Sequence, residues 1–416
     1  MIDLENSKLA LHCLSCVTKP CQVGCPLNND IPTFIKYIKE NNYEKAFETL
    51  QETSVLTPIC GRICPHFQQC QGSCVRRFSS EPVQIGKLEA LVGDIALEKE
   101  WNIYSPKETK YNVAVIGSGP ASLTCAAFLR RNGIKVTIYE KYDHLGGILS
   151  HGIPDFRLDP KIVKKVIERI IDLGIEVKYN IELGKDIKLE ELKENYDAIF
   201  IGIGANISNQ MNIPGENLKG VYGGNEVLER NIQVDYKGKT VIVSGGGNVA
   251  MDISRTAKRL GAKRVIVVYR RSEKEMPADK KEVEEAKNDG VEFIYQTNIV
   301  KILGQEKIER IEVVKTELIQ KEGETRLLPI NIEGSNYEIS CDIIMMAIGS
   351  HPEEYVKDFN LEKNSQGKIK IDKDNHTSDK KVFSGGDVAG IKSTVAWASR
   401  SGRNAAYSII KYLKSL

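Results

Sequence analysis

The chain has 416 residues, 41% of them hydrophobic and 27% charged, so it is long enough for two or three domains and too apolar to be mainly disordered. Lysine and arginine exceed aspartate and glutamate by only two, and the charges are interspersed. No basic field is therefore available for a nucleic-acid backbone or an anionic membrane. No apolar run reaches the roughly 18 residues of a membrane span, and the opening MIDLENSKLALHC has neither a basic n-region nor a long apolar h-region, so a cytoplasmic protein is expected.

Eight of the ten cysteines fall within the first 74 residues, as CLSCVTKPCQVGCP and CGRICPHFQQCQGSC. The two runs hold Cys13, Cys16, Cys21, Cys25 and Cys60, Cys64, Cys70, Cys74, two groups of four. Three chemistries compete for such a pattern. Disulfides suit a small secreted domain, whereas cytosolic thiols stay reduced. Structural zinc also uses paired thiolates. Iron–sulfur clusters are favoured because a proline follows Cys25 and Cys64, as in ferredoxin-type runs where one run donates to the other's cluster. Between the runs, Ile35, Ile38, Tyr43, Ala46, Phe47 and Leu50 recur at helical spacing, and IGKLEALVGDIALEKEW follows as a further helix. A small helical domain over residues 1–108 is expected.

After the polar stretch SPKETKY the pattern becomes strand–helix–strand. NVAVIGSGPASLTCAAFLRRNGIKVTIYE reads as a buried strand, a glycine turn at Gly117 and Gly119, a helix, and a second strand ending at Glu140, 23 residues after Gly117. Glycines there let the backbone approach a pyrophosphate at a helix N-terminus, and the carboxylate accepts from ribose hydroxyls. The third small position is Ser122 in place of glycine or alanine. A second such unit, TVIVSGGGNVAMDISRTAKRLGAKRVIVVYRRS, carries Gly245, Gly247 and Ala250. Its second strand ends in Arg270 and Arg271 where the first has an acid, which suits the 2′-phosphate of NADPH; a solvated basic turn is the plain alternative. The strand-and-glycine segments AIFIGIGA, IIMMAIG and FSGGDVAG place this second unit inside the first. The domains are then 1–108 for the clusters, 109–228 and 346–416 for the flavin nucleotide, and 229–345 for NADPH. The class is α/β, with two Rossmann-like domains behind a helical front. Cys125 and Cys341 stand alone and read as inert core thiols. His66, His144 and His151 read as packing or surface residues, and no acid–base residue is assigned.

CxxCx4Cx3CP, CGRICPx4Cx3C, EPVQIGKLE, VAVIGSGPAS, YEKYDHLGGILSHGIPDFRL, GGGNVAMD, YRRSEKEMPA and FSGGDVAG together resemble one family across nearly the whole chain. It includes the small subunit of glutamate synthase, the amino-terminal half of dihydropyrimidine dehydrogenase, and the large subunit of NADH-dependent ferredoxin:NADP oxidoreductase. The resemblance implies that Cys13, Cys16, Cys21 and Cys74 hold one [4Fe-4S] cluster and that Cys25, Cys64 and Cys70 hold another. For the eighth ligand it points to Glu89, a position where relatives carry Gln or Glu, with Cys60 also at hand and a plain surface glutamate as the alternative. For FAD it marks Gly117, Gly119, Pro120, Ala121, Glu140, Gly147, Leu149, Arg157, Gly386 and Asp387, with a helix starting near Thr394 that directs its positive end at the flavin. For NADPH it marks Gly245, Gly247, Asn248, Val249, Arg270 and Arg271. The implied function is an electron-input subunit that oxidises NADPH and passes electrons through FAD and the clusters to a catalytic partner subunit or ferredoxin-like acceptor in a hetero-oligomer. A free-standing diaphorase and a zinc-stapled, nucleotide-responsive scaffold are the competing expectations.

Overall fold

In a computed structural model of the chain, residues 7–101, 108–229, 232–321, 323 and 326–416 are described. The helices Ile31–Lys39, Tyr43–Gln51, Thr57–Ile63 and Ile85–Glu98 make up most of the front of the chain. The first two begin on Asp30 and Asn42, whose side chains accept from the backbone N–H of Thr33 and Lys45, so the long apolar stretch breaks into two short helices. Phe34, Ile35, Ile38, Phe47 and Leu50 from this pair meet Leu88, Val92 and Ile95 of the last helix in one core.

The chain divides into two compact units, Met1–Ala205 with Pro352–Leu416, and Asn206–His351. The first contains a five-stranded parallel sheet in the order Val382–Ser384, Ala198–Ile201, Asn112–Ile116, Lys135–Tyr139, Glu176–Lys178. Strand Val382–Ser384 returns to this sheet from beyond the interruption, which completes the nested arrangement read from the sequence. Val382–Ser384 and Ala198–Ile201 are buried throughout and Asn112–Ile116 from its second residue on, as parallel strands covered by helices must be, while the edge strand Glu176–Lys178 stays largely open.

The helical front shares a core with this sheet. Leu27, Val55, Leu56 and Ile59 pack in one cluster with Leu123, Phe128 and Phe200. Polar ties reinforce the contact: buried Arg403 donates through Nη1 to the carbonyls of Leu27 and Thr53, both at 2.8 Å. Arg131 donates to the Gln51 carbonyl at 2.6 Å. The front and the first nucleotide fold therefore form one unit.

The second unit has its own parallel sheet, ordered Val221–Gly223, Ile343–Met346, Thr240–Ser244, Arg264–Tyr269, Glu292–Tyr295. It extends beyond 229–345 at both ends, because the three-residue strand Val221–Gly223 pairs with Ile343–Met346; so short a strand leaves no periodicity to read. The unit also holds an antiparallel sheet of Thr297–Gly304, Ile308–Ile319, Leu328–Asn331 and Tyr337–Ser340, which the sequence reading did not anticipate.

Candidate functional site

The front gathers the cysteines in two neighbouring groups. Cys13, Cys16, Cys21 and Cys74 line one cavity, floored by Ile31, Ile35, Val83 and Ile85. The two runs interleave here, since the fourth thiol comes from the second run. Among the described residues no three His, Cys, Asp or Glu side chains converge on a point where a single ion could sit. Burial and the nearby Cys13 and Cys74 push the Cys21 thiol up to about 11.

The second group is deeper. Burial, then Glu89, raises Cys25 to about 12. Cys64 is raised by its hydrogen bond with Cys60, by burial and by Glu89, and Cys70 by burial, Cys25 and Glu89. Glu89 is only 5% exposed, which removes the surface-glutamate alternative. Burial lifts its carboxyl to about 8, against an opposing hydrogen bond at 3.3 Å from Asn29 Nδ2. Thr53 Oγ1 in turn donates to Asn29 Oδ1 at 2.6 Å, which orients the amide. The structure thus brings Cys25, Cys64, Cys70 and Glu89 together, and places Cys60 beside them on helix Thr57–Ile63. Sulfur and carboxylate donors this buried stay protonated by themselves and need a cationic group to hold them ionised. That donor set fits an iron–sulfur group, as does the interleaved quartet.

At the first glycine turn, Gly117 has φ +84°, and a Cβ there would stand 2.8 Å from the Gly202 carbonyl. Gly119 precedes helix Pro120–Arg131, and a Cβ on it would meet nothing within 4 Å. A Cβ on Gly147 would instead reach 3.1 Å from Gly119, and one on Gly386 3.2 Å from Ala121, so these segments crowd one helix N-terminus. Side chains there would fill the space a pyrophosphate needs. Glu140, at the end of the second strand, accepts from Ser118 Oγ at 2.6 Å and from the Tyr142 N–H at 3.0 Å. Ser118 Oγ also accepts from the Gly146 N–H at 3.0 Å, which links the acid to the Gly146–Gly147 turn. Ser122 keeps the fold closed: its hydroxyl reaches the carbonyls of Ile116 and Gly202 at 3.3 and 3.2 Å.

Leu149 is buried in the first unit's core, and Arg157 is half-buried after the Pro154 turn. Burial raises the Asp387 carboxyl, opposed by Lys368 and a Ser393 hydrogen bond. Thr394 caps helix Val395–Leu413 by accepting from the Trp397 N–H. That helix crosses helix Pro120–Arg131 so closely that a Cβ on Gly402 would lie 2.0 Å from the Ala121 carbonyl, and Thr124 and Ser399 hydroxyls bond across the contact at 2.7 Å.

The second turn is built alike. A Cβ on Gly245, at φ +137°, would strike the Ala347 carbonyl at 2.2 Å, and one on Gly246 the Tyr269 ring at 2.6 Å, while Gly247 opens onto helix Asn248–Arg259. Asn248 Oδ1 accepts from the Asp279 N–H at 2.9 Å and Val249 follows it in the first turn, so the loop after Arg271 is tied to the helix start. Arg270 is held below the ordinary arginine value by burial and by Arg271 and Arg326. Arg271 Nε donates to the Leu327 carbonyl at 3.0 Å, and Arg326 Nη2 reaches Tyr269 Oη and the Glu275 carbonyl, both at 3.4 Å. Three guanidinium groups therefore surround the end of strand Arg264–Tyr269. Arg326 was missed in the sequence, where it stands in the polar stretch KEGETRLLP with no motif around it.

Cys125 is buried in the first unit and Cys341 in the second, and burial raises both thiols. Neither has a second cysteine at dithiol spacing, so disulfide exchange has no reactive pair in the nucleotide folds.

Two nested dinucleotide folds behind a thiol-rich helical front define a nucleotide-dependent flavin oxidoreductase with an electron-transfer module. The chain belongs to the pyridine nucleotide-disulphide oxidoreductase family, which matches residues 111–402, and its residues 3–101 match dihydropyrimidine dehydrogenase domain II, a 4Fe-4S cluster domain. It is 35% identical over 426 residues to the glutamate synthase [NADPH] small chain of Escherichia coli, covering 97% of this chain and 90% of that one. The NADP(+)-dependent formate dehydrogenase subunit beta of Moorella thermoacetica is 34% identical, with 96% of this chain and 60% of that one covered. Among solved structures, Mycobacterium tuberculosis FprA in complex with NADPH shares the fold with a TM-score of 0.66 at 20% identity, over 74% of this chain and 85% of that one. Among the described residues no helix is long and apolar enough to cross a membrane.

Proposed function

We propose that this chain is the electron-input subunit of a larger enzyme, oxidising NADPH and delivering electrons one at a time to a partner protein. The observation that carries this reading is the packing of the second thiol group onto the first nucleotide fold. Cys25 and Cys64 pack against the core that contains Leu123 and Phe200, and Arg403 and Arg400, on the helix capped by Thr394, donate to the carbonyls of Leu27 and Pro26 just after Cys25. A redox group at the glycine cradle and one at this thiol group would thus be held by the same rigid contact.

FAD, when bound, supplies the conversion of a two-electron hydride from NADPH into single electrons, which iron–sulfur clusters carry. The chain's own residues position and tune. Glu140, oriented by Ser118 and Tyr142, takes the ribose of the flavin nucleotide, and Gly117, Gly119, Gly147 and Gly386 admit its pyrophosphate. Thr394 starts a helix whose positive end favours the reduced flavin's negative charge. Arg270, Arg271 and Arg326 select the 2′-phosphate of NADPH. Cys13, Cys16, Cys21 and Cys74 hold one cluster; Cys25, Cys64, Cys70 and Glu89 hold the other. The terminal partner is a catalytic subunit or a ferredoxin-like acceptor in a hetero-oligomer.

Glu89→Ala and Cys60→Ala test the ligand assignment separately. Low-temperature EPR of the reduced protein should show one cluster signal altered by the first substitution and both retained in the second. Retention of both signals in Glu89→Ala, with loss of one in Cys60→Ala, would move the ligand role to Cys60.

A further inference from the structure

Glu89 stands at the second thiol group with a polar neighbour that is itself held from several sides. Among the described residues, the hydrogen bond that opposes burial at Glu89 comes from Asn29, whose Nδ2 lies 3.3 Å from Glu89 Oε1 and which is 1% exposed. Asn29 follows Cys25 by four residues, and its backbone N–H, with that of Leu27, donates to the Cys25 sulfur. One residue therefore touches two members of the group, a sulfur through its main chain and a carboxylate through its side chain.

The direction of these bonds is fixed by what each group can donate. An ionised carboxylate only accepts, so the Asn29 NH2 faces Glu89 and its carbonyl oxygen faces away. There it accepts from Thr53 Oγ1 at 2.6 Å, a bond that uses the hydroxyl's single proton and leaves the 3.5 Å approach to the Leu50 carbonyl as the weaker alternative. The amide cannot turn over while that hydroxyl donates to it. Its backbone is equally fixed. Asn28, at φ +59°, turns the chain between Cys25 and Asn29, and its N–H returns to the Cys25 carbonyl at 2.9 Å. Arg403 donates to the carbonyls of Leu27 and Thr53, so one guanidinium spans the two segments that carry the amide and its orienting hydroxyl. Packing alone would be met by an aliphatic side chain of similar size, with no polar group to satisfy.

We propose that Asn29 is a positioning residue which, oriented by Thr53, holds the Glu89 carboxylate and sets the reduction potential of the cluster at Cys25, Cys64 and Cys70. The inference rests on the assignment of Glu89 as a ligand of that cluster. Reduction adds one negative charge, and N–H groups aimed at the ligands favour the more negative state. Loss of the Asn29 donor also leaves the carboxylate a stronger donor to iron. Both effects have the same sign, so the potential falls when the amide is removed and falls less when the amide is only freed to rotate.

The test is an EPR-monitored redox titration of the cluster-loaded, flavin-loaded protein with dithionite and mediators, so that neither nucleotide nor partner enters. Wild type, Asn29→Leu, Thr53→Val, Thr53→Ser and the double variant Asn29→Leu with Thr53→Val are compared, with Glu89→Ala as the reference for the ligand. Asn29→Leu should shift the reduction equilibrium of one cluster about tenfold toward the oxidised form, about 60 mV lower for one electron, and leave the other cluster unchanged. Thr53→Val should shift the same cluster about threefold, and Thr53→Ser, which keeps the hydroxyl, should restore it. A hydroxyl that acts only through the amide has nothing to orient once the amide is gone, so the double variant should match Asn29→Leu alone. Should Asn29→Leu fail to assemble the cluster, the two Thr53 variants decide, because they keep the amide in place. Unshifted midpoints in the variants, equal shifts in both clusters, or additive shifts in the double variant would overturn the proposal, while a signal altered in Glu89→Ala would leave the ligand assignment standing. Both signals unchanged in Glu89→Ala would overturn the ligand assignment and the proposal with it.

Discussion

Replacing the arginines at the end of strand Arg264–Tyr269 should separate NADPH from NADH. Arg270 and Arg271 leave that strand together, and Arg326 joins them through its contacts with Tyr269 and Glu275. A charge-assisted hydrogen bond to phosphate contributes about 1.5–3 kcal/mol, and the lower end applies at a surface where salt screens it. Arg270→Ala with Arg271→Ala should then cost about 2–3 kcal/mol of NADP+ binding, roughly 30- to 150-fold in Kd. Arg326→Ala, whose group is exposed and held by two long contacts, should cost about 1 kcal/mol, roughly fivefold. Burial holds Arg270 below its ordinary value and repulsion from Arg271 and Arg326 adds to it; an entering anion relieves that repulsion, and the losses should shrink as salt rises. Calorimetry with NADP+, NAD+, 2′,5′-ADP and 5′-AMP reads the effect without any turnover. NAD+ and 5′-AMP affinities should stay within about twofold in all variants, since only the 2′-phosphate contact is lost. Equal losses for the two nucleotides would refute the phosphate role, and a selective loss in the double variant alone would remove Arg326 from it.

Three further substitutions test the contacts that hold the site. Arg403→Leu should destabilise the first unit by about 2 kcal/mol, because the buried carbonyl of Leu27 and the part-buried one of Thr53 lose their donor; thermal unfolding reads it, and an unchanged midpoint would contradict the assigned contact. Gly402→Val should cost more than about 2 kcal/mol and lower flavin retention after desalting, since a Cβ there would lie 2.0 Å from the Ala121 carbonyl. Ser118→Ala removes the donor to Glu140 and the acceptor for Gly146, and should weaken FAD binding by about 1–2 kcal/mol in a flavin-release titration, with a smaller effect expected for Ser122→Ala.

The parts of this architecture legible in sequence are those that depend on local chemistry. Glycines at Gly117 and Gly245 announce positive φ and close backbone approach, and alternating strands and helices announce parallel sheets. Cysteine spacing announces thiolate ligation, although spacing alone left Glu89 and Cys60 unresolved, and both prove to lie by the second thiol group. Other features depend on distant partners. Arg326 stands in the bend before strand Leu328–Asn331 of the antiparallel sheet, so its position relative to Arg270 had no local signature. Arg403 reads as an ordinary helical cation, and only the shared core shows that it joins the helical front to the first nucleotide fold. Ser122 reads as a departure from the glycine pattern, yet its hydroxyl bonds to the carbonyls of Ile116, at the end of one strand, and Gly202, just after its neighbour.

The central claim is that electrons from NADPH reach iron–sulfur clusters held by the front of this chain. An anaerobic NADPH titration of freshly purified protein, with visible absorbance, low-temperature EPR, and iron, zinc and flavin counted on one sample, tests it most directly. The account predicts flavin bleaching, about eight irons per chain, and reduced-cluster signals that grow with added NADPH. Flavin bleaching in a protein that contains zinc and no iron would contradict it, leaving a flavin reductase with a structural zinc domain.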